Sequence, residues 1–150
     1  MSTLVMDENV LQQIRANARL VIDKLGPHSG MQQAGVHFGY NRESVEYLTG
    51  LIERLRLEDA NRPEPPETLV STLGSFFGEC LAAATGGKWY RDEELELYGI
   101  ALVSPQGQQH SAFPFSKIAK QFANGVEGGD SVLGMYDIVV NGLAAGKMDR

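Results

Sequence analysis

The fold class of this chain follows from residues 67–113, ETLVSTLGSFFGECLAAATGGKWYRDEELELYGIALVSPQGQQHSAF. Its first part predicts a helix over about 67–85, because apolar residues recur at helical spacing and Gly86-Gly87 then supplies a helix stop. The rest changes to strand patterns separated by turn residues, and it predicts three strands, over about 88–91, 95–103 and 108–113. Links this short allow only antiparallel neighbours, so the strands form a meander.

This third helix of the chain is predicted to lie at the centre of the fold. Its apolar residues cover more than one face, so other elements are expected on both sides, with Leu73, Phe76 and Cys80 in the core. Gly74 and Gly78 weaken the helix by about 1 kcal/mol each relative to Ala, and they make sense only if something packs against them. Tight internal packing is the favoured interpretation, and a subunit interface is the alternative.

Helical periodicity predicts four more helices, over about 7–25, 42–58, 114–124 and 130–144. Suitable N-cap residues begin three of them, namely Asp7, Asn41 and Asp130. Strands grouped between helices predict an α+β fold rather than an alternating α/β one. The length of 150 residues fits a single domain, 1–150.

Two connections stand out between the predicted elements. Residues 26–41 are broken by glycines and form a long loop, which is typical of either a mobile or a functional segment. Residues 62–66, RPEPP, predict a stiff connector.

The charge and the cysteine content exclude several classes of protein. The net charge is −6 and the basic residues are scattered, so nucleic-acid binding is not expected. Cys80 is the only cysteine, which excludes an internal disulfide and agrees with a reducing compartment. There is no apolar run of about 18 residues, and the first eight residues lack the basic and apolar regions of a signal peptide. We therefore expect a cytoplasmic protein that binds neither nucleic acid nor membrane.

Motifs for metal, cofactor and nucleophile chemistry are missing from the sequence. His28, His37 and His110 have no ligand-like spacing. The Gly-Gly-Lys at 86–88 lacks the first glycine and the hydroxyl residue of a phosphate-binding loop, and it follows a helix instead of a strand. No serine lies in a Gly-x-Ser-x-Gly context. The sequence predicts no metal, cofactor or catalytic residue, and it favours a non-enzymatic role without excluding an enzyme.

Glu79 is the carboxylate that most invites a functional interpretation. In a largely apolar helix it could have a raised pKa and act as an acid or base, or it could face solvent or pair with a lysine. Trp89 and Tyr90 could form a ligand platform or simply core. Together with His110 and Lys117, these residues are the candidates for a small-molecule pocket beside the meander.

An acidic run is the second candidate site, and it comprises Asp92, Glu93, Glu94 and Glu96. The alternation predicts that Glu94 and Glu96 lie on one face of the second strand and that Leu95 and Leu97 lie on the other. Such a run is typical of a solvated turn that also protects a strand edge from aggregation. The alternative is a surface that binds a basic partner.

Four short motifs resemble an uncharacterised bacterial domain family: LGSFFGE at 73–79, GKW at 87–89, FPFSKIAK at 113–120 and GVE at 125–127. In that family a Leu-Gly-x-x-x-Gly-Glu helix leads into a Gly-x-x-Trp-type strand, a meander and a Phe-Pro-hydrophobic-Ser helix start. The resemblance covers about residues 69–140. It implies a bacterial origin and a stand-alone cytosolic domain, and it implies no activity and no site residues.

Two hypotheses of different classes follow. The first is a bacterial protein-interaction module, an adaptor or an immunity-like protein, whose acidic surface is drawn to another protein. The second is a small-molecule binder or enzyme with a pocket near Glu79, Trp89 and His110. A homodimer is compatible with both.

Overall fold

The computed structural model describes residues 6–58 and 67–147, and the predicted connector at 62–66 lies outside these ranges. In chain order, the described elements are α1 (Glu8–Leu25), a 3-10 turn (Gly26–His28), α2 (Arg42–Glu58), α3 (Glu67–Thr85), β1 (Lys88–Asp92), β2 (Leu97–Val103), β3 (Gln109–Ala112), α4 (Pro114–Asn124), α5 (Val132–Ile138) and a π-helical turn (Val139–Leu143). The helices and the antiparallel sheet, ordered β1-β2-β3, confirm the predicted α+β fold.

Helix α3 lies at the centre, as predicted. Leu73, Phe76 and Cys80 are buried in the hydrophobic core together with residues of α1, α2, α4 and the sheet. The ring of Phe115 on α4 packs where a Cβ of Gly74 would stand, and the ring of Trp89 on β1 packs where a Cβ of Gly78 would stand. These helix-interior glycines are therefore needed for close internal packing, because a side chain there would displace a large ring.

The sheet packs one face against the helices. Trp89, Ile100 and Ala112 are in-register neighbours on this inner face, and all three are buried. Tyr90 points to the outer face, where its hydroxyl donates to Ser111 Oγ at 2.8 Å. Trp89 is therefore a core residue and Tyr90 covers the outside of its own sheet.

The predicted start of the second strand is wrong. Strand β2 begins at Leu97, and residues 93–96 form a turn between β1 and β2. The backbone N–H of Leu95 donates to Asp92 Oδ1 at 2.9 Å, and Glu96 adopts a φ of 55°. Leu95 is consequently 55% exposed in the turn instead of sharing a strand face with Leu97. The alternating pattern of Glu and Leu predicted a strand where local hydrogen bonding favours a turn.

The predicted cap and bounds of the last helix also need correction. The N-cap of α5 is Ser131, whose Oγ accepts from the N–H of Gly134 at 2.9 Å. Asp130 instead accepts from Lys117 Nζ at 3.0 Å and from Asn124 Nδ2 at 2.7 Å. The α-helix ends at Ile138, and the chain continues as the π-helical turn. Either residue could cap a helix, and the nearby Lys117 and Asn124 decide between them.

A polar network ties α2 to the loop between α4 and α5. Gln121 is fully buried, and its amide nitrogen donates to Thr49 O and to Glu53 Oε2, both at 3.0 Å. Its amide oxygen accepts from the N–H of Val132 at 2.9 Å. Glu53 also accepts from the N–H of Val126 at 3.2 Å. All hydrogen-bonding atoms of this buried amide are used for structure.

Candidate functional site

The predicted candidates Glu79 and Trp89 form a hydrogen-bonded pair. Trp89 Nε1 donates to Glu79 Oε2 at 3.1 Å, and Arg15 Nε on α1 lies 3.8 Å from Glu79 Oε1. The Glu79 side chain is 16% exposed. Its carboxylate thus has an indole and a guanidinium as partners, instead of the solvent or the lysine that the sequence suggested, and both contacts join secondary-structure elements.

The other predicted pocket residues lie apart from this pair. His110 lies on β3, opposite Leu102 of β2. In an ideal sheet this register places the Cα of His110 roughly 12 Å from the Cα of Trp89 on β1. Lys117 forms an ion pair with Asp130, and Tyr90 is on the opposite sheet face. Asn124 and Lys117 both donate to Asp130 and hold the pKa of that carboxyl below its usual range. Glu79, Trp89 and His110 line neither a groove between α1 and α3 nor a groove between α2 and residues 31–36.

The acidic run lies in and beside the turn between β1 and β2. Asp92 accepts the backbone hydrogen bond that shapes the turn, and Glu93 lies 3.7 Å from Arg91. The side chains of Glu94 and Glu96 are exposed. Part of the run therefore has a local structural role, and the remainder is solvated surface around an exposed Leu95.

A groove between α1 and α3 offers a better defined candidate site. Its volume is about 520 Å³. Apolar and aromatic side chains from four elements line it, namely Val10 and Ile14 of α1, Val70 of α3, Tyr98 of β2 and Phe115 of α4. The Phe115 ring also contacts the Trp89 ring, with centroids 5.6 Å apart. Trp89, the hydrogen-bond partner of Glu79, therefore packs against one wall of this groove.

Hydrogen-bonding side chains line both helices of the groove. On α1 they are Asn9, Gln13 and Asn17, and on α3 they are Glu67, Ser71 and Ser75. Each set is spaced by four residues, so its members lie on one helix face about 6 Å apart. Ser75 Oγ donates to the backbone oxygen of Ser71 at 2.7 Å, and Gln13 Nε2 donates to Asn17 Oδ1 at 3.2 Å. The α1 set consists of carboxamides, which both donate and accept hydrogen bonds.

These groove residues were missed by the sequence reasoning. The signal was present, because Asn9, Gln13 and Asn17 recur at a helical interval next to the apolar stripe of α1. Polar residues there are equally typical of a solvated helix face. Only the packing of α1 beside α3 turns them into one side of a groove.

The groove combines an apolar floor with hydrogen-bonding side chains. Among the described residues that line it there is no histidine, cysteine or lysine, and Glu67 is the one carboxylate. Within residues 6–58 and 67–147, no group of three or more histidine, cysteine or acidic side chains is placed to hold a metal ion. An apolar floor with a few hydrogen-bonding groups is typical of a ligand-binding site.

A second groove lies between α2 and the turn at residues 31–36. Its volume is about 510 Å³. Met31, Ala34 and Val36 overhang it from the turn, and it is bordered along α2 by Glu43, Glu46, Tyr47, Gly50 and Arg54. Backbone hydrogen bonds shape the turn, with the N–H groups of Ala34 and Val36 donating to Met31 O at 3.0 and 2.8 Å. Part of the predicted long loop is thus a hydrogen-bonded structure beside a groove.

Comparison with known proteins adds no assignment. No protein-family model matches the chain, and neither a curated protein nor a solved structure is significantly similar to it. The resemblance of residues 69–140 to an uncharacterised bacterial family therefore stays a prediction. None of the described helices has the length and apolar character that crossing a membrane would require.

Proposed function

We propose that this chain is a protein-interaction module that binds an extended segment of a partner protein in the groove between α1 and α3. The observation that carries the proposal is the row of carboxamides, Asn9, Gln13 and Asn17, beside an apolar floor. The proposal keeps the interaction role expected from the sequence and moves its site from the acidic run to this groove.

The spacing of the carboxamides suits an extended peptide. Side chains four residues apart on a helix are about 6 Å apart along its axis. An extended chain presents N–H and C=O groups to the same edge every two residues, or about every 6.7 Å. Three successive carboxamides can therefore hydrogen-bond to three successive peptide groups along one edge with small side-chain adjustments.

The floor of the groove suits the side chains of such a peptide. Alternate side chains of an extended segment point the same way, so apolar residues at every second position would contact Val10, Ile14 and Phe115. Main-chain hydrogen bonds then supply affinity, and the apolar contacts supply specificity, as in other modes of extended-peptide recognition.

The charge of the chain favours a basic partner. The net charge is −6, and Glu67 borders the groove. The exposed Glu94 and Glu96 add to the negative field, which accelerates association with a positively charged segment and makes it salt-dependent. We therefore expect the bound segment to combine alternate apolar residues with lysine or arginine.

A peptide library displayed on phage tests this proposal. We expect the immobilised chain to enrich extended sequences of that kind, with affinities measured by fluorescence polarisation. Ser71→Leu fills the groove and should abolish binding, whereas Ala84→Leu, an exposed change on the same helix, should leave it unchanged. Peptides that bind both variants equally well would place the site elsewhere and contradict the proposal.

Gln13→Leu distinguishes the binding of a peptide from the binding of an apolar small molecule, which is the alternative occupant of the groove. Loss of one carboxamide should weaken peptide binding about tenfold, since hydrogen bonds to the main chain are lost. Gln12→Leu is the matched control, because Gln12 is exposed on α1 and does not line the groove. If no peptide is enriched but a fluorescent fatty acid binds equally to wild type and Gln13→Leu and not to Ser71→Leu, the small-molecule alternative is correct.

A further inference from the structure

Gly50 differs from the glycines inside α3. It lies in the middle of α2, where glycine weakens a helix by about 1 kcal/mol relative to alanine. Gly74 and Gly78 have rings of Phe115 and Trp89 packed on them, but a Cβ at Gly50 would have no atom of the described residues within 4 Å beyond its chain neighbours and the nearby backbone of its own helix. Packing within the described chain therefore gives no reason for a glycine at this position.

Two residues of opposite charge lie at equal distances along α2 on either side of Gly50. Glu46 and Arg54 each stand four residues from Gly50, one before it and one after it, and both line the α2 groove with it. The guanidinium carbon of Arg54 lies 5.7 Å from the centre of the Tyr47 ring. An acidic group therefore lies one turn to one side of Gly50 and a basic group one turn to the other.

We propose that this face of α2 binds a second copy of the chain, with the two α2 helices antiparallel and crossing at Gly50. A two-fold axis through Gly50 places Glu46 of each copy opposite Arg54 of the other, because the two residues are equidistant from the axis in sequence. Such an interface is isologous, so one complementary pair is formed twice. The missing side chain lets the helix axes approach to the short end of the usual range of about 8–10 Å.

The neighbouring contacts leave Glu46 available for this role. Glu46 Oε2 lies 3.7 Å from Arg42 Nη1, and its side chain is 65% exposed. Arg42 has a stronger partner in Asp137, to which its Nε and Nη2 both donate at 2.9 Å. Met31 and Val36 border the same groove and provide apolar surface beside the crossing helices. The dimer contact is separate from the groove between α1 and α3 and does not depend on the function proposed for that groove.

Sedimentation velocity of the purified full chain tests the proposal. We expect a reversible monomer–dimer equilibrium between about 1 and 200 μM, with a dissociation constant that rises with salt because surface charges are screened. Gly50→Leu should shift the chain to monomer, while Ala84→Leu, exposed on α3, should not. A wild-type chain that remains monomeric over this range would overturn the proposal.

Exchanging the charges of Glu46 and Arg54 tests whether these two residues form the contact between the copies. Glu46→Arg and Arg54→Glu alone should each weaken dimerisation at least about tenfold, because each places like charges opposite one another twice. The combined variant restores opposite pairs and should return to within about threefold of wild type. Circular dichroism of each variant shows whether the helices are intact. Folded single variants that dimerise like wild type, or a folded double variant no tighter than either single one, would overturn the antiparallel contact.

Discussion

Helices α2 and α3 both carry glycine in their interior, and the two helices have different surroundings. In α3, Gly74 and Gly78 lie under the rings of Phe115 and Trp89. In α2, Gly50 borders an open groove, and within residues 6–58 and 67–147 no atom outside the neighbouring backbone of α2 lies within 4 Å of where its Cβ would stand. The same residue type thus permits close packing within the chain in one helix and leaves a surface open in the other.

Glycine inside a helix lowers stability, so a packing contact is expected to offset its cost. The cost is about 1 kcal/mol at either site. In α3 it is offset by the burial of large aromatic rings, which a Cβ would displace. In α2 nothing in the described chain offsets it, so an external partner is the physical reason that we propose. Substitutions in the two helices test this contrast directly.

The largest effect is expected for a core residue of α3. Leu73→Ala should lower the free energy of unfolding by about 2–5 kcal/mol, because it leaves a cavity in a helix packed on both sides. Leu57→Ala is the matched control in α2, since that side chain is 78% exposed, and it should change stability by less than about 0.5 kcal/mol. Urea unfolding measures both. Equal effects would show that α3 is not the better buried helix.

The next effect concerns the glycine under Trp89. Gly78→Ala should destabilise the chain by about 1–3 kcal/mol, because the new methyl group overlaps the Trp89 ring and strains its hydrogen bond to Glu79. Tryptophan fluorescence monitors both unfolding and the displaced ring, since Trp89 is the only tryptophan. A variant as stable as wild type would mean that the ring does not require a glycine beneath it.

The opposite sign is expected in α2. Gly50→Ala should raise the free energy of unfolding by up to about 1 kcal/mol, because helix propensity improves and no neighbour is displaced. Unfolding should be measured at low micromolar concentration and high salt, where the proposed dimer is dissociated and cannot add to the measured stability. Destabilisation under these conditions would mean that α2 packs against something at Gly50 within the chain.

The smallest effect is expected for the reactivity of Cys80 in α3. Burial raises the pKa of this thiol, so it should react with a thiol reagent at neutral pH only when the chain unfolds. Because the folded chain favours the neutral thiol, the associated stability is complete below the unfolded pKa of about 8.5 and falls as the pH rises above it. Rapid labelling of the native chain with Ellman's reagent, at the rate of the urea-unfolded control, would contradict this prediction.

Much of the fold followed from local patterns. The bounds of α2, α3 and α4 agree with the ranges predicted from helical periodicity. Asn41 caps the start of α2, Gly86-Gly87 follows α3, and Pro114 and Gly125 mark the two ends of α4. The wrong start of β2 has a local cause, since the same Glu and Leu alternation fits a strand or an Asp-capped turn. The cap of α5 was decided by Lys117 and Asn124, which bind Asp130 and leave Ser131 as the cap.

Periodicity and composition act within one element, so they were enough to predict the α+β class, the central place of α3 and a packing partner on Gly74 and Gly78. The identity of those partners, Phe115 and Trp89, depends on how the elements pack, and so does the separation of Glu79 and Trp89 from His110. The tertiary structure also formed the groove from α1, α3, the sheet and α4. Residues distant in sequence meet there through the packing of whole elements, and no pattern along one segment encodes that contact.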